Sequence, residues 1–253
     1  MKCIILAAGY ATRLYPLTKN FPKPLLKVRD KAIMSWLVED IVKIDGMDEV
    51  IVVSNHCFVN VFYDWKRQVE NNGRISHDVQ ITILDDGSTE NDNRLGAVRD
   101  IAYAIEMCRI EDDILVMAGD NLLDFSIAGF VEFYRKKQTT CIMRHFENSI
   151  EKLQRTGVVE INEDSKVLRM EEKPREPRST WAVPPFYIYP QKDLNTILAG
   201  VKSGEVNVDA PGGFIEWFCK KNVVHAYEMP GKRFDIGNLE SLDWIRKNFQ
   251  GII

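Results

Sequence analysis

A run of apolar residues from Cys3 to Ala7 passes directly into a turn of small residues, and Arg13 follows a few positions later. A short run that is apolar on both faces marks a strand buried on both sides of a parallel sheet. Three more runs of this kind follow, at Val50–Val53, Val79–Leu84 and Ile114–Met117. Helical periodicity fills much of the chain between them. Ile33, Leu37, Val38, Ile41 and Ile44 share one helical face, and so do Ala97, Ile101, Ala104, Ile105 and Cys108. Strands that alternate with helices predict βαβ units, and so an α/β fold with a doubly wound, mostly parallel, Rossmann-like sheet.

The texture changes after about residue 140. Thr140–Arg144, Val158–Ile161, Val167–Glu171 and Phe186–Tyr189 read as strands with short connections, and Asn162-Glu163-Asp164-Ser165 reads as a hairpin turn. A loop rich in Pro and Arg runs from Lys173 to Pro185. A helix over 213–220, a strand over 223–228 and a helix from Leu239, with Leu242, Ile245 and Phe249 on one face, complete the pattern. One domain over 1–253 is expected. Its nucleotide-binding half covers about 1–125, and a smaller part with mixed sheet lies within about 126–253.

Composition limits the partners. The formal net charge is -4, against the basic stripe that wrapping nucleic acid requires. A phosphorylated ligand must instead be met by a local cluster of cations. Cys3, Cys57, Cys108, Cys141 and Cys219 are scattered and lack C-x-x-C spacing, so buried thiols are expected rather than a zinc site or a disulfide framework. His56, His77, His145 and His225 share no ligand spacing and read as structural. Arg13 follows the first apolar run too soon for a signal peptide. No stretch approaches the ~20 apolar residues of a membrane span. A cytoplasmic protein is expected, with no membrane or nucleic-acid partner; a homo-oligomer stays open.

The densest chemistry lies in Leu6-Ala7-Ala8-Gly9-Tyr10-Ala11-Thr12-Arg13-Leu14-Tyr15-Pro16-Leu17-Thr18, continuing to Phe21-Pro22-Lys23-Pro24-Leu25. Small residues let backbone N–H groups approach phosphate oxygens. Arg13 supplies a planar fork for phosphate and Lys23 a compact point charge. Pro22 and Pro24 restrict the backbone on either side of Lys23. A P-loop is excluded, because G-x-x-x-x-G-K-[ST] does not occur, and only Gly9 of a dinucleotide fingerprint is present. Asp120 ends the run Ile114–Gly119, which places a carboxylate where open α/β sheets bind ligands.

These residues resemble the sugar-1-phosphate nucleotidyltransferases, a family that includes glucose-1-phosphate thymidylyltransferases and mannose-1-phosphate guanylyltransferases. Their signature is approximately L-A-G-G-x-G-T-R-L-x-P-L-T followed by P-K-P-L. Leu95-Gly96 is similar to the family's base-binding segment, and Gly119-Asp120-Asn121 to its metal motif. Gly157-Val158-Val159-Glu160 and Glu171-Glu172-Lys173-Pro174 look like its sugar-binding pair. Phe234-Asp235-Ile236-Gly237 resembles the segment that carries its second metal carboxylate.

The resemblance implies transfer of a nucleotidyl group from an NTP to a sugar 1-phosphate, with Mg²⁺ on Asp120 and Asp235. It makes Arg13, Lys23 and Asp120 catalytic. Leu6, Ala8, Gly9, Tyr10, Ala11, Thr12, Arg13, Asp86 and Gly96 would bind the nucleotide. Gly157, Glu172 and Lys173 would bind the sugar phosphate in the second half, which also carries the second metal ligand. Asp209 reads as either a sugar contact or part of a helix-entry turn. Ser88–Arg94 reads as either a loop over the nucleotide or an ordinary solvated loop.

Two positions depart from the pattern. Ala11 stands where the family has its second signature glycine, and its methyl group either crowds the triphosphate or fits if φ is negative. Pro185 stands where a glycine precedes a strand. The chain is also expected to lack the hexapeptide-repeat domain of some relatives. Three competing readings are a transferase acting on another phosphorylated alcohol such as phosphocholine, a glycosyltransferase that consumes a nucleotide sugar, and a non-catalytic nucleotide-binding paralogue.

Overall fold

The computed structural model describes residues 1–73, 75 and 78–252; His77 lies outside the described residues. In chain order, the first elements are β1 (Lys2–Leu6), β2 (Lys27–Val28), β3 (Lys31–Ala32), α1 (Ile33–Ile41), β4 (Glu49–Ser54), α2 (Val59–Asn71), β5 (Gln80–Asp85), α3 (Ala97–Met107), β6 (Ile114–Ala118) and β7 (Asn121–Leu123). Then come α4 (Ala128–Lys137), β8 (Thr140–Phe146), α5 (Ile150–Leu153), β9 (Gly157–Ile161), β10 (Val167–Glu172), β11 (Trp181–Val183) and β12 (Phe186–Tyr189). The last are α6 (Leu194–Ser203), α7 (Pro211–Cys219), β13 (Val224–Glu228), β14 (Arg233–Asp235) and α8 (Leu239–Asn248). The chain forms two compact units. One comprises Met1–Leu95, Met117–Ala128 and Pro230–Ile253, and the other Gly96–Val116 and Gly129–Met229.

In the first unit β1, β4 and β5 are parallel neighbours in that order. All six residues of β4 are buried, the apolar run Val50–Val53 together with Glu49 and Ser54 at its ends. α1 buries Ile33, Leu37, Val38 and Ile41, the face that the periodicity marked. α2 buries Val59, Phe62, Trp65 and Val69. A short ribbon pairs β7 with β14 in antiparallel register, Asn121 opposite Asp235 and Leu123 opposite Arg233. α8 is started by a capping box: Asn238 Oδ1 accepts from Ser241 N at 2.8 Å, and Asn238 N donates to Ser241 Oγ at 3.1 Å. Its Leu242 and Ile245, with Phe249 at its C-cap, join Leu14, Ile33, Leu122 and Ile236 in one buried cluster. Each such side chain stabilises the fold by about 1.5–3 kcal/mol. The cluster holds the ribbon through Leu122 of β7 and through Ile236, which directly follows Asp235 at the end of β14.

In the second unit β10, β9, β11, β8 and β12 are neighbours through antiparallel pairing, and β13 lies parallel to β8. This is the mixed sheet read from the sequence. The turn after β9 is the expected hairpin: Ser165 N donates to Asn162 O at 3.0 Å, and Asn162 N to Lys166 O at 3.0 Å. The loop expected over Lys173–Pro185 contains a short strand, β11, that periodicity does not reveal, because three residues are too few to show it. Pro185 removes one donor before β12, and Phe186 N closes the turn on Pro184 O at 2.8 Å. Among the described residues no helix is long and apolar enough to cross a membrane.

Cys3 and Cys141 are buried and Cys108 and Cys219 partly so, but Cys57 is exposed. The expectation of buried thiols fails at Cys57. It lies in the turn after β4, which leaves its side chain at the surface with Sγ donating to Thr89 O at 3.1 Å.

Candidate active site

The first unit gathers cations and carboxylates at strand ends. β1 stops at Leu6, whose carbonyl accepts from Gly119 N at 2.9 Å, so the turn before Asp120 is tied to the end of β1. Ala8 is buried and its carbonyl accepts from Asn55 Nδ2 at 3.0 Å. Tyr10 is buried against Phe58, and burial pushes its phenol pKa up. Thr12–Leu14 form a single 3-10 turn in which Thr12 and Arg13 are exposed and Leu14 is buried. Arg13 has no hydrogen bond or ion pair among the described residues.

Ala11 has φ 46° and ψ 44°, the left-handed region. Of the two alternatives, a fit through negative φ is therefore absent. The conformation is held because Ala11 O accepts from Leu14 N at 3.0 Å and from Thr18 Oγ1 at 2.8 Å. An alanine there carries roughly 1–2 kcal/mol of steric cost, against roughly 0.5–1 kcal/mol of added chain entropy for glycine. Ala11→Gly is expected to raise Tm by about 1–4 °C for a chain of this size. A melt that fell instead would show that the turn gains more from the methyl group than it loses to strain.

Gly9 differs from Gly96 in what it requires. At Gly9 the φ is not left-handed, and a Cβ would meet no atom of the described residues within 4 Å. At Gly96 φ is 94°, and a Cβ would lie 2.8 Å from Val208 O and 3.0 Å from Asp209 Cα. The fold of the second unit therefore dictates glycine at 96, where Val98 N also donates to Val208 O at 3.0 Å. Nothing in the first unit dictates it at 9.

Lys23 stands on a short 3-10 turn, Lys23–Leu25, entered from extended Pro22 and continued by Pro24. Its side chain is nearly buried. Nζ donates to Asp120 Oδ2 at 2.6 Å and lies 4.0 Å from Asp235 Oδ1. The ribbon register explains the meeting, since it sets Asp235 opposite Asn121, the neighbour of Asp120. Asn121 Nδ2 donates to Asp120 Oδ1 at 3.1 Å, and Asn121 Oδ1 accepts from Arg233 at 2.7 Å. Asn121 is thus a holding residue that sequence reasoning left without a role, although its place after Gly-Asp was visible.

Asp86 follows β5. Its Oδ1 accepts from Ser88 N and Ser88 Oγ, each at 2.7 Å, while Oδ2 is buried with no partner in the described structure. Burial raises its pKa, and the Ser88 hydrogen bonds oppose this. The segment after Ser88 is tied to itself: Asn93 Oδ1 accepts from Thr89 N at 3.0 Å and Glu90 N at 3.1 Å.

The second unit holds the other candidates. Gly157 opens β9 opposite Glu172, the last residue of β10. Glu172 is half-buried, and burial raises its pKa while Lys173 lowers it. Lys173 is exposed and left-handed, φ 50°, with Nζ 3.7 Å from Glu172 Oε1. Its N–H donates to Thr156 O at 3.1 Å. Asp209 lies two residues before α7, and its N–H donates to Asn207 Oδ1 at 3.0 Å. Glu216 of α7 accepts the N–H of Glu172 at 3.1 Å. Glu216 is a contact that the sequence reading missed.

The first unit thus joins a parallel α/β sheet to a small-residue turn, Arg13 and two carboxylates that share one lysine. The chain belongs to the nucleotidyl transferase family, whose model matches residues 2–250. It is 27% identical over 210 residues to a UTP–glucose-1-phosphate uridylyltransferase of Synechocystis sp., covering 79% of this chain and 52% of that protein. It is 28% identical over 197 residues to a glucose-1-phosphate thymidylyltransferase of Neisseria meningitidis, covering 75% of this chain and 61% of that protein. The chain therefore spans about half to three-fifths of the length of these relatives. A solved UDP-glucose pyrophosphorylase, complexed with UDP-glucose, shares the fold with a TM-score of 0.79 at 21% identity, over 98% of this chain and 97% of that one.

Proposed function

We propose that the chain, acting as a single nucleotidyltransferase domain, transfers a nucleotidyl group from an NTP to a sugar 1-phosphate and releases pyrophosphate. The observation that carries this reading is Lys23 Nζ, 2.6 Å from Asp120 and 4.0 Å from Asp235, in a member of the nucleotidyl transferase family. The donor set fits Mg²⁺, which takes one or two carboxylates and completes its shell with phosphate oxygens and water. Both carboxylates are partly exposed, so they can reach such a shell. When bound, Mg²⁺ supplies charge neutralisation at the phosphate oxygens.

The remaining roles belong to the chain. Arg13 and Lys23 neutralise the triphosphate, and the backbone from Leu6 through Ala8, Gly9, Tyr10, Ala11 and Thr12 cradles it. Asp86 of the first unit and Gly96 of the second are both assigned to base binding, and the buried Asp86 Oδ2 supplies an acceptor for a base N–H. Gly157, Glu172 and Lys173 hold the sugar 1-phosphate: Glu172 accepts hydroxyls and Lys173 meets the phosphate. The sugar phosphate oxygen displaces pyrophosphate at the α-phosphorus, a step that positioning and charge stabilisation carry without a protein nucleophile. Its substrates, an NTP and a sugar phosphate, support a cytoplasmic enzyme.

Gly9 gives a test of the cradle that stability does not confound. Gly9→Ala is expected to leave Tm unchanged and to lower kcat/KM for NTP by about tenfold or more, the cost of losing a charge-assisted contact. Unchanged NTP use would remove the Gly9 backbone from the triphosphate site. The function itself is tested by pyrophosphate release across ATP, GTP, CTP, UTP and dTTP, each with a panel of sugar 1-phosphates and phosphocholine. Release is expected for one NTP paired with a sugar 1-phosphate; release only with phosphocholine would shift the acceptor class.

A further inference from the structure

In the second unit one turn of α7 faces the end of β10. Gly212 and Glu216 are four residues apart and so share a helical face. Glu216 Oε2 accepts the N–H of Glu172 at 3.1 Å, and its Oε1 is held by Lys220 Nζ at 3.0 Å. One turn earlier, a Cβ on Gly212 would collide with Glu172 Oε2 and lie 2.6 Å from Glu172 Cδ. From the other side, a Cβ on Gly157 would lie 3.2 Å from the same Oε2 and would collide with Met170 Cε. The Glu172 carboxylate thus occupies a slot between two glycines, with its backbone tied to α7.

The backbone conformation of Gly212 does not account for the glycine. Its φ is outside the left-handed region, and it sits in the first turn of a helix that Pro211 opens. Alanine is a better helix former than glycine at such a place. The atoms that a methyl group would meet are the far end of a flexible side chain, which can swing away at little cost to the fold.

We infer that Gly212 is a positioning residue that sets where the Glu172 carboxylate stands, and so sets affinity for the sugar hydroxyls of the acceptor. This rests on the reading of Glu172 as a sugar contact. The slot selects an acceptor whose hydroxyls reach a fixed carboxylate, and an acceptor without hydroxyls, such as phosphocholine, gains nothing from it.

The experiment is a double-mutant cycle of Gly212→Ala and Glu172→Ala. Steady-state kinetics uses the sugar 1-phosphate and NTP with the highest kcat/KM in the panel above, and each variant is melted. Gly212→Ala is expected to raise KM for the sugar 1-phosphate about tenfold or more. KM for NTP should stay within about twofold, and Tm should hold or rise slightly. In the Glu172→Ala background Gly212→Ala should cost nothing further. Additive losses, a Tm lowered by several degrees, or an unchanged sugar KM in Gly212→Ala alone would overturn the inference. If Glu172→Ala itself left the sugar KM unchanged while pyrophosphate release continued, the sugar role of Glu172 would fail, and the inference with it.

Discussion

Asp120→Asn should lower metal-dependent pyrophosphate release by at least ~100-fold, the scale seen when one preorganised electrostatic contact to a reacting group is removed. Asparagine keeps the size of the side chain and an oxygen that can accept from Lys23 Nζ, now 2.6 Å away. The buried lysine is therefore not orphaned, and Tm should stay within a few degrees of wild type. Alanine would confuse the result, because it leaves Lys23 facing only Asp235 at 4.0 Å. The check is a pyrophosphate-release assay beside a thermal melt. Wild-type turnover in a folded Asp120→Asn protein would take Asp120 out of the chemistry.

Lys23→Met should have two effects that separate by metal. Methionine roughly preserves the buried stem but removes the charge that lies between two carboxylates. Without metal the variant should lose about 1–3 kcal/mol, less than for a fully buried pair because both carboxylates are partly exposed. Adding Mg²⁺ alone should then restore Tm more in the variant than in wild type, since a ligand that binds only the folded state stabilises it. The cation no longer competes with an ammonium for Asp120 and Asp235. With Mg²⁺ saturating, kcat/KM for NTP should remain about 10- to 100-fold low. Equal Mg²⁺ shifts in both proteins would mean that Lys23 and the metal do not share these carboxylates.

The strands and helices that the sequence revealed are those whose pattern is decided locally. β4 reads from its apolar run Val50–Val53, which is fully buried, and α8 buries Leu242 and Ile245 at helical spacing, with Phe249 at its C-cap. The ribbon of β7 and β14 was not legible, because three-residue strands leave no period and their partners lie far apart in sequence. Yet that ribbon brings Asp235 to Lys23. The two carboxylates were read from motifs, but their shared lysine and the holding role of Asn121 needed the register.

Ala11 shows the opposite limit. Its identity was noticed in the sequence, but whether alanine fits depends on φ, which only the backbone supplies. Glycines hide the most. Gly96 is demanded by backbone contact and φ, Gly212 leaves room for the side chain of Glu172, and Gly9 is required by no contact among the described residues. The sequence prints the same letter for all three.

The most direct test of nucleotidyl transfer follows the phosphates. The productive NTP, labelled in turn at its α- and γ-phosphorus, is incubated with the productive sugar 1-phosphate and Mg²⁺, and products are separated. The α-label should appear in a nucleotide sugar and the γ-label in pyrophosphate, in equal amounts and only when all three components are present. An α-label left in free nucleoside monophosphate, a γ-label in orthophosphate, or pyrophosphate released without the sugar phosphate would contradict transfer to a sugar 1-phosphate.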